Sequence, residues 1–133
     1  MVGVRIARSV TKRPKVVIFH GAFHGSFDAV LASGWLEDGQ PQTVPLTDGT
    51  PQSIVDDTMV LTYGDARSLD VIRQYADEIA AVVIEPVQSR NPALQPVQFV
   101  RDLRQITQAH EIALICDDII LDSAMHWMEA EAG

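Results

Sequence analysis

Residues 80–88 read AAVVIEPVQ, and the first five of them form an uninterrupted apolar run. A short run that is rich in β-branched residues is typical of a strand buried on both faces of a parallel sheet. It ends at Glu85 and Pro86, a charged residue followed by one that cannot donate a ladder hydrogen bond. We therefore predict a strand over residues 80–84 with polar chemistry at its carboxyl end.

Similar apolar runs flank this strand in the sequence. They span residues 16–19, 58–63 and 113–116, and residues 68–79 and 96–110 between them carry apolar side chains at helical spacing. Residues 2–10 have the pattern of another amphipathic helix, and a proline at position 14 would stop it. This alternation predicts an α/β fold, with a mostly parallel sheet and helices on both of its faces.

Two parts of the sequence do not fit a complete domain of this kind. Residues 33–58 are rich in Gly, Pro, Gln, Thr and Asp, which predicts a long loop that is functional or belongs to an interface. The chain also opens within a helical pattern, and residues 121–133 add no strand. We expect a piece of a larger domain, whose sheet has exposed edges.

Composition narrows the class of protein. The chain has 133 residues, 47% of them hydrophobic and 21% charged, which is typical of one soluble domain. A net charge of −8 disfavours binding to nucleic acid, and no apolar run approaches the ~18 residues of a membrane span. The single cysteine, Cys116, and the lack of a signal-peptide pattern predict a cytoplasmic location.

The motif Phe-His-Gly occurs twice in residues 16–28, VVIFHGAFHGSFD. His20 and His24 are four residues apart, which would place both on one face of a helix and make them a metal pair. Gly21 and Gly25, together with the strand that precedes them, argue against a helix here. We therefore predict no metal site at the two histidines.

Each predicted strand ends at residues suited to a ligand site. The first runs into residues 21–25, which include the aromatic Phe23, and the second ends at residues 63–65. The third runs into residues 85–88, which include the carboxylate of Glu85 and the amide of Gln88, and the fourth runs into Asp117 and Asp118. Parallel strands end at one edge of a sheet, where α/β proteins bind ligands, so we expect these residues to gather there. A carboxylate in such a position also serves as a helix cap, and an acidic pair is suited to Mg²⁺. The pattern alone leaves these alternatives open.

Four runs carry a resemblance to a known family. They are VVIFHGAFHGSFD (16–28), TYGD (62–65), AAVVIEPVQSRNPALQP (80–96) and IALICDD (112–118). Their order and spacing resemble class III aminotransferases that depend on pyridoxal 5′-phosphate, in the glutamate-1-semialdehyde aminomutase-like branch. The third run is also similar to aminotransferase domains embedded in polyketide and non-ribosomal peptide synthetases.

The resemblance implies a fold and a set of site residues. Residues 1–120 would be a fragment of the large domain of a fold-type-I transferase, and residues 121–133 a divergent tail. Phe23 occupies the position of the ring that stacks on the pyridine ring of the cofactor, and His24 and Gly25 complete that motif. Asp117 occupies the position of the carboxylate that pairs with the pyridine nitrogen. Glu85 matches the active-site glutamate, near the substrate.

The implied reaction transfers an amino group from a donor amine to a keto or semialdehyde acceptor. The likeness to synthetase domains extends the expectation to an acceptor tethered to a carrier protein. Members of the family are homodimers, so a homodimer is implied as well.

Parts of the family's active site do not occur in this sequence. The lysine that binds the cofactor lies downstream of the acidic pair, whereas the lysines here, Lys12 and Lys15, precede the first strand. The Gly-Ser/Thr turn that binds the cofactor phosphate has no counterpart either. We predict that this chain cannot attach the cofactor covalently and is inactive alone. Two alternatives remain: a non-catalytic α/β remnant, and a Mg²⁺-dependent phosphoryl-transfer domain using Asp117 and Asp118.

Overall fold

A computed structural model describes residues 2–22, 31–86, 88 and 91–117 of the chain. In these residues the chain forms a parallel sheet, an antiparallel hairpin and four α-helices. The helices are α1 Val2–Thr11, α2 Gln52–Val55, α3 Ala66–Gln74 and α4 Val97–Ala109, and a 3₁₀ turn spans Ala76–Glu78. The strands are β1 Lys15–Phe19, β2 Ala32–Glu37, β3 Gln40–Pro45, β4 Thr58–Leu61, β5 Ile79–Ile84 and β6 Ala113–Cys116.

The predicted parallel sheet is confirmed. Its four strands lie in the order β4-β1-β5-β6, and every neighbouring pair is parallel. The last strand has the predicted bounds, but the three others differ: Lys15 begins β1, Tyr63 lies in a turn beyond β4, and Ile79 begins β5 instead of ending the preceding helix. Helix α3 stops at Gln74 and the 3₁₀ turn returns the chain to the sheet, so Ile79 is buried as a strand residue.

The sheet is covered on both faces, as predicted. Side chains of one face pack against α3 and α4. Those of the other face pack against α1, α2 and the hairpin. The first layer contains Val17, Phe19, Leu61, Leu69, Ile72, Val82, Ile84, Phe99 and Leu103, and the second contains Val4, Val16, Ile18, Ala32, Val55, Val60 and Val83.

The prediction of a long loop over residues 33–58 is wrong, because most of this segment forms the β2–β3 hairpin and α2. Strands β2 and β3 pair in antiparallel register around Asp38 and Gly39, whose φ angles are 51° and 78°. Two positive φ values match the type I′ turn for which Asp-Gly is the strongest short signal. The apolar pattern is weak here since only one face of the hairpin packs on the protein.

The hairpin is fixed against the edge of the sheet at β4. The hydroxyl of Thr43 donates to the carbonyl oxygen of Thr58 at 2.6 Å. A Cβ atom on Gly34 would be 2.6 Å from the carbonyl oxygen of Gln42, in the partner strand β3, and 3.1 Å from Cβ of Val60, in β4. The glycine therefore sets how closely the hairpin approaches β4.

The opposite edge of the sheet is less enclosed. Among the described residues β6 pairs only with β5, and its apolar side chains are partly exposed. A groove of about 350 Å³ lies along this edge beside α1, where Ile6 and Val10 are exposed. Another groove, of about 280 Å³, lies beside α4. Within the described ranges one of the expected exposed edges is thus found, at β6, whereas the edge at β4 is covered by the hairpin.

None of the helices in the described ranges has both the length and the hydrophobicity needed to cross a membrane.

Substitution Gly34→Ala tests the close packing around Gly34, both within the hairpin and against β4. The added methyl group would press on backbone atoms, so we expect the free energy of unfolding to fall by about 1–3 kcal/mol, the usual cost of overpacking. Urea denaturation measures the change. In the control, Gly49→Ala, a Cβ atom would meet nothing within 4 Å, and the shift should stay within about 0.5 kcal/mol. Equal effects of the two substitutions would contradict the proposed contact.

Candidate active site

The carboxyl ends of the four parallel strands bring the predicted site segments to one edge of the sheet. The chain leaves β1 at His20, β4 at Thr62, β5 at Glu85 and β6 at Asp117. Ligands of parallel α/β sheets bind at this edge. The expected gathering of strand ends is therefore present for the residues that the structure describes.

Hydrogen bonds join these segments to one another. The amide of His20 donates to the carbonyl oxygen of Leu61 at 2.9 Å, and the amide of Asp117 donates to that of Ile84 at 2.8 Å. The hydroxyl of Tyr63 donates to the carbonyl oxygen of Pro86 at 2.9 Å. The turn after β1 is thus bonded to the end of β4, the residue after β6 to the end of β5, and the turn after β4 to the loop after β5.

Tyr63 lies at the base of this edge. Its ring packs with those of Phe19 and Phe99, with all three centroid distances between 5.4 and 5.7 Å. Burial raises the pKa of the Tyr63 hydroxyl well above its usual range, and the charges of Cys116 and Glu85 raise it further. The hydroxyl therefore stays protonated and acts as a hydrogen-bond donor to the loop after β5.

Glu85 is a carboxylic acid almost withdrawn from water, with 2% of its surface exposed. Acidic residues are rarely this buried unless they have partners, because removing a carboxylate from water is costly. Its charge is one of those that raise the pKa of the Tyr63 hydroxyl. A buried carboxyl group at the carboxyl end of a central strand is suited to act on a ligand held at this edge.

Asp117 is the first residue after β6 and is partly buried. Its backbone amide continues the ladder to β5, which fixes the main chain at this position. A carboxylate anchored by its own main chain can present its charge to a cationic atom of a ligand without ordering a loop.

Several predicted site residues lie outside the described part of the chain: Phe23, His24, Gly25 and Asp118. The chain can be followed to the turn that leads toward the first three. This turn has Gly21 at φ 81°, and the amide of Ala22 donates to the carbonyl oxygen of Phe19 at 3.2 Å. His20 is exposed in the same turn. In the described residues, no group of three His, Cys, Asp or Glu side chains is arranged to hold a metal ion.

Both lysines of the sequence lie where the parallel strands begin, at the end of the sheet opposite to Glu85. Lys15 is the first residue of β1, and Lys12 follows α1. Strand β1 crosses the sheet from Lys15 to Phe19, a span of roughly 13 Å at 3.3 Å per residue. Neither lysine is therefore placed to react with a ligand beside Glu85.

The sequence places the polar amide of Gln88 at this edge but predicts no role for it. Gln88 is 3% exposed, and its side-chain amide donates to the carbonyl oxygen of His20 at 3.1 Å. The sequence offered only its place three residues after Glu85, because the bond depends on how the loops after β1 and β5 meet.

Comparison with known proteins adds the family. A family model described as "Aminotransferase class-III" matches residues 1–121. The chain belongs to the class III aminotransferases. It is 34% identical over 122 residues to the glutamate-1-semialdehyde 2,1-aminomutase of Hyperthermus butylicus. The match covers 90% of this chain but only 28% of that relative, so the chain spans just over a quarter of the relative's length.

Solved structures of transaminases share this fold. An omega-transaminase from Sphaerobacter thermophilus superposes with a TM-score of 0.79 and is 37% identical, covering 88% of this chain and 28% of its own. A transaminase with pyridoxal phosphate bound gives a TM-score of 0.76 and is 35% identical, with the same coverage. The α/β fold of this class III aminotransferase chain is thus a partial copy of the fold of much longer enzymes.

Substitution Tyr63→Phe keeps the ring cluster but removes the hydroxyl that donates to Pro86. A buried carbonyl oxygen left without its donor costs about 1–3 kcal/mol, and we expect a loss of that size in the free energy of unfolding. Tyr75→Phe is the matched control, because the Tyr75 hydroxyl bonds to Gln40 at an exposed position, where changes stay within about 0.5 kcal/mol. Urea denaturation of both variants measures the difference, and equal losses would contradict the role of the Tyr63 hydroxyl.

The raised pKa of Tyr63 predicts a dependence of stability on pH. Above about pH 10 the unfolded chain loses the Tyr63 proton while the folded chain keeps it. The stability that the protonated hydroxyl contributes is fully present below that pH and declines as pH rises further. We expect the advantage of wild type over Tyr63→Phe to shrink between pH 8 and about pH 10.5 in urea denaturation. A constant advantage would contradict the assignment.

Proposed function

We propose that this chain forms one side of the pyridoxal 5′-phosphate site of a class III aminotransferase or aminomutase, whose reaction transfers an amino group from a donor amine to a keto or semialdehyde acceptor. The observation that carries the proposal is the family match over residues 1–121, in which Glu85 and Asp117 end neighbouring parallel strands at the ligand-binding edge.

Among the described residues, Asp117 fits the ring end of this cofactor. Anchored by its main chain beside β5, it would hold the pyridine nitrogen through its carboxylate. Phe23 would stack on the ring, and His24 and Gly25 complete its motif; all three lie outside the described residues. When bound, the cofactor supplies an electron sink for the substrate carbon.

Glu85 would act on the substrate side of the ring. Its burial at the end of the central strand keeps the carboxyl group out of bulk water, where its charge or its proton acts more strongly on a bound ligand. Tyr63, which donates to the neighbouring Pro86, holds the main chain next to this carboxyl group. Glu85 would therefore orient the donor amine or the acceptor at this position.

The partners of the reaction are also part of the proposal. We assign a homodimer and a cytoplasmic location, and we extend the acceptor to one tethered to a carrier protein in polyketide or peptide biosynthesis. The β2–β3 hairpin supports an interface: Trp35 and Val44 are exposed on its outer face, and Leu46 is exposed just after it. Exposed apolar groups of this size are typical of surfaces that bind protein.

By itself the chain should hold the cofactor without a covalent bond, since Lys12 and Lys15 lie at the amino ends of the strands, away from Glu85 and Asp117. We therefore test the site with pyridoxamine 5′-phosphate, the amine form, which needs no lysine. Asp117→Asn should weaken its binding about tenfold in titration calorimetry, because a hydrogen bond to a charged group contributes about 1.5 kcal/mol.

Asp70→Asn is the matched control, since Asp70 lies on α3 in an exposed ion pair with Arg73 and should leave affinity unchanged. Pyridoxal phosphate followed by borohydride should label neither lysine selectively. The proposal would be contradicted if the wild-type chain did not bind pyridoxamine 5′-phosphate, or if the two variants bound it equally well. Complete labelling of one lysine would contradict it as well.

A further inference from the structure

Gln88 is a neutral amide held inside the edge where ligands bind. It is as buried as a core residue, yet it belongs to the loop after β5 and not to a strand or helix. Its Nε2 donates to the carbonyl oxygen of His20, 68 positions away in the sequence, at 3.1 Å. This bond connects the loop after β5 directly to the turn after β1.

The oxygen of the same amide faces the next residue of that turn. A Cβ atom on Gly21 would lie 3.3 Å from Oε1 of Gln88, and the φ angle of Gly21 is 81°. The two ends of one amide thus contact His20 and Gly21 in succession. Any side chain at position 21 would be strained by the backbone angle and would also press on this amide.

The hydrogen bond from Gln88 to His20 lies just beyond the point where the regular pairing of β1 ends. Strand β1 is held to β4 through pairs that end at Phe19, and beyond it the amide of His20 still donates to Leu61. The carbonyl oxygen of His20 faces the other neighbour, and Gln88 is its donor. Among the described residues, the turn is therefore held on one side by a backbone hydrogen bond and on the other by the side chain of Gln88.

We propose that Gln88 is a positioning residue, whose amide fixes the turn His20–Gly21–Ala22 and so sets where the chain enters the Phe23–His24–Gly25 motif. We call the hydrogen bond from Gln88 to His20 the clamp on the turn. The effect of the clamp on cofactor binding rests on the function proposed above, whereas the clamp itself does not. Because Gln88 is uncharged, it can hold the turn without introducing a buried charge.

Hydrogen exchange of the backbone amides, followed by NMR in the 133-residue chain, tests the clamp. Gln88→Met keeps the size of the side chain and removes the donor. We expect the amides of His20 and Ala22 to exchange about tenfold faster, the equivalent of one hydrogen bond of about 1.4 kcal/mol. Amides within β1 and β5 should change less than about twofold, because their ladder bonds remain.

Gln98→Met is the matched control, since Gln98 makes its side-chain bond to Asp102 at an exposed position on α4. Gln88→Asn, which keeps the amide but is one methylene shorter, should loosen the turn as Gln88→Met does. Uniformly faster exchange across the sheet would make Gln88 an ordinary core residue and overturn the proposal. Unchanged exchange at His20 and Ala22 would overturn it too.

Affinity for pyridoxamine 5′-phosphate separates this proposal from the previous one. If wild type binds and Gln88→Met binds several-fold more weakly with only the turn loosened, the amide positions the cofactor motif. Equal affinity with a loosened turn would overturn that role. If wild type does not bind, the proposed cofactor site fails, and the exchange data still decide whether Gln88 clamps the turn.

Discussion

Burial of β5 on both faces is the constraint on which the described structure depends. All six residues of Ile79–Ile84 are buried, and the strand pairs with β1 on one side and β6 on the other. A strand in this position accepts only apolar side chains, so polar residues are confined to the point where it leaves the sheet. Glu85 stands at that point, and the same constraint that forms the core therefore also places a carboxyl group at the carboxyl ends of the strands, where parallel α/β proteins bind ligands.

Much of this arrangement can be predicted from sequence because it follows from local patterns. The apolar runs of β5 and β6 and the helical spacing of α4 each depend on a few consecutive residues, and the rule for strand ends then groups Glu85 with Asp117. The sequence pattern does not predict the β2–β3 hairpin, for a physical reason. Its strands pack on one face only and contain Gly34 and prolines, so the Asp38-Gly39 turn was its only strong signal.

The contacts that shape the edge could not be predicted in this way. Tyr63 and Gln88 act through bonds to residues 23 and 68 positions away, and each bond depends on the exact register of two strands and on the path of the loops beyond them. The residue types at these two positions give no signal, since a tyrosine after a strand or a glutamine in a loop occurs in proteins of every class. A polar residue acquires such a role only when the fold removes it from water, which no short window of sequence reveals.

The partly exposed β6 has a consequence for the life of this polypeptide in a cell. An edge strand of apolar residues, flanked by two grooves, is a template onto which other unpaired strands can add. Such pairing is bimolecular, so its extent rises with the amount of protein synthesised. Chaperones and proteases recognise the same exposed apolar surface. For the part of the chain that the structure describes, the exposure of β6 therefore favours association and degradation, in addition to any effect of the strength of the core.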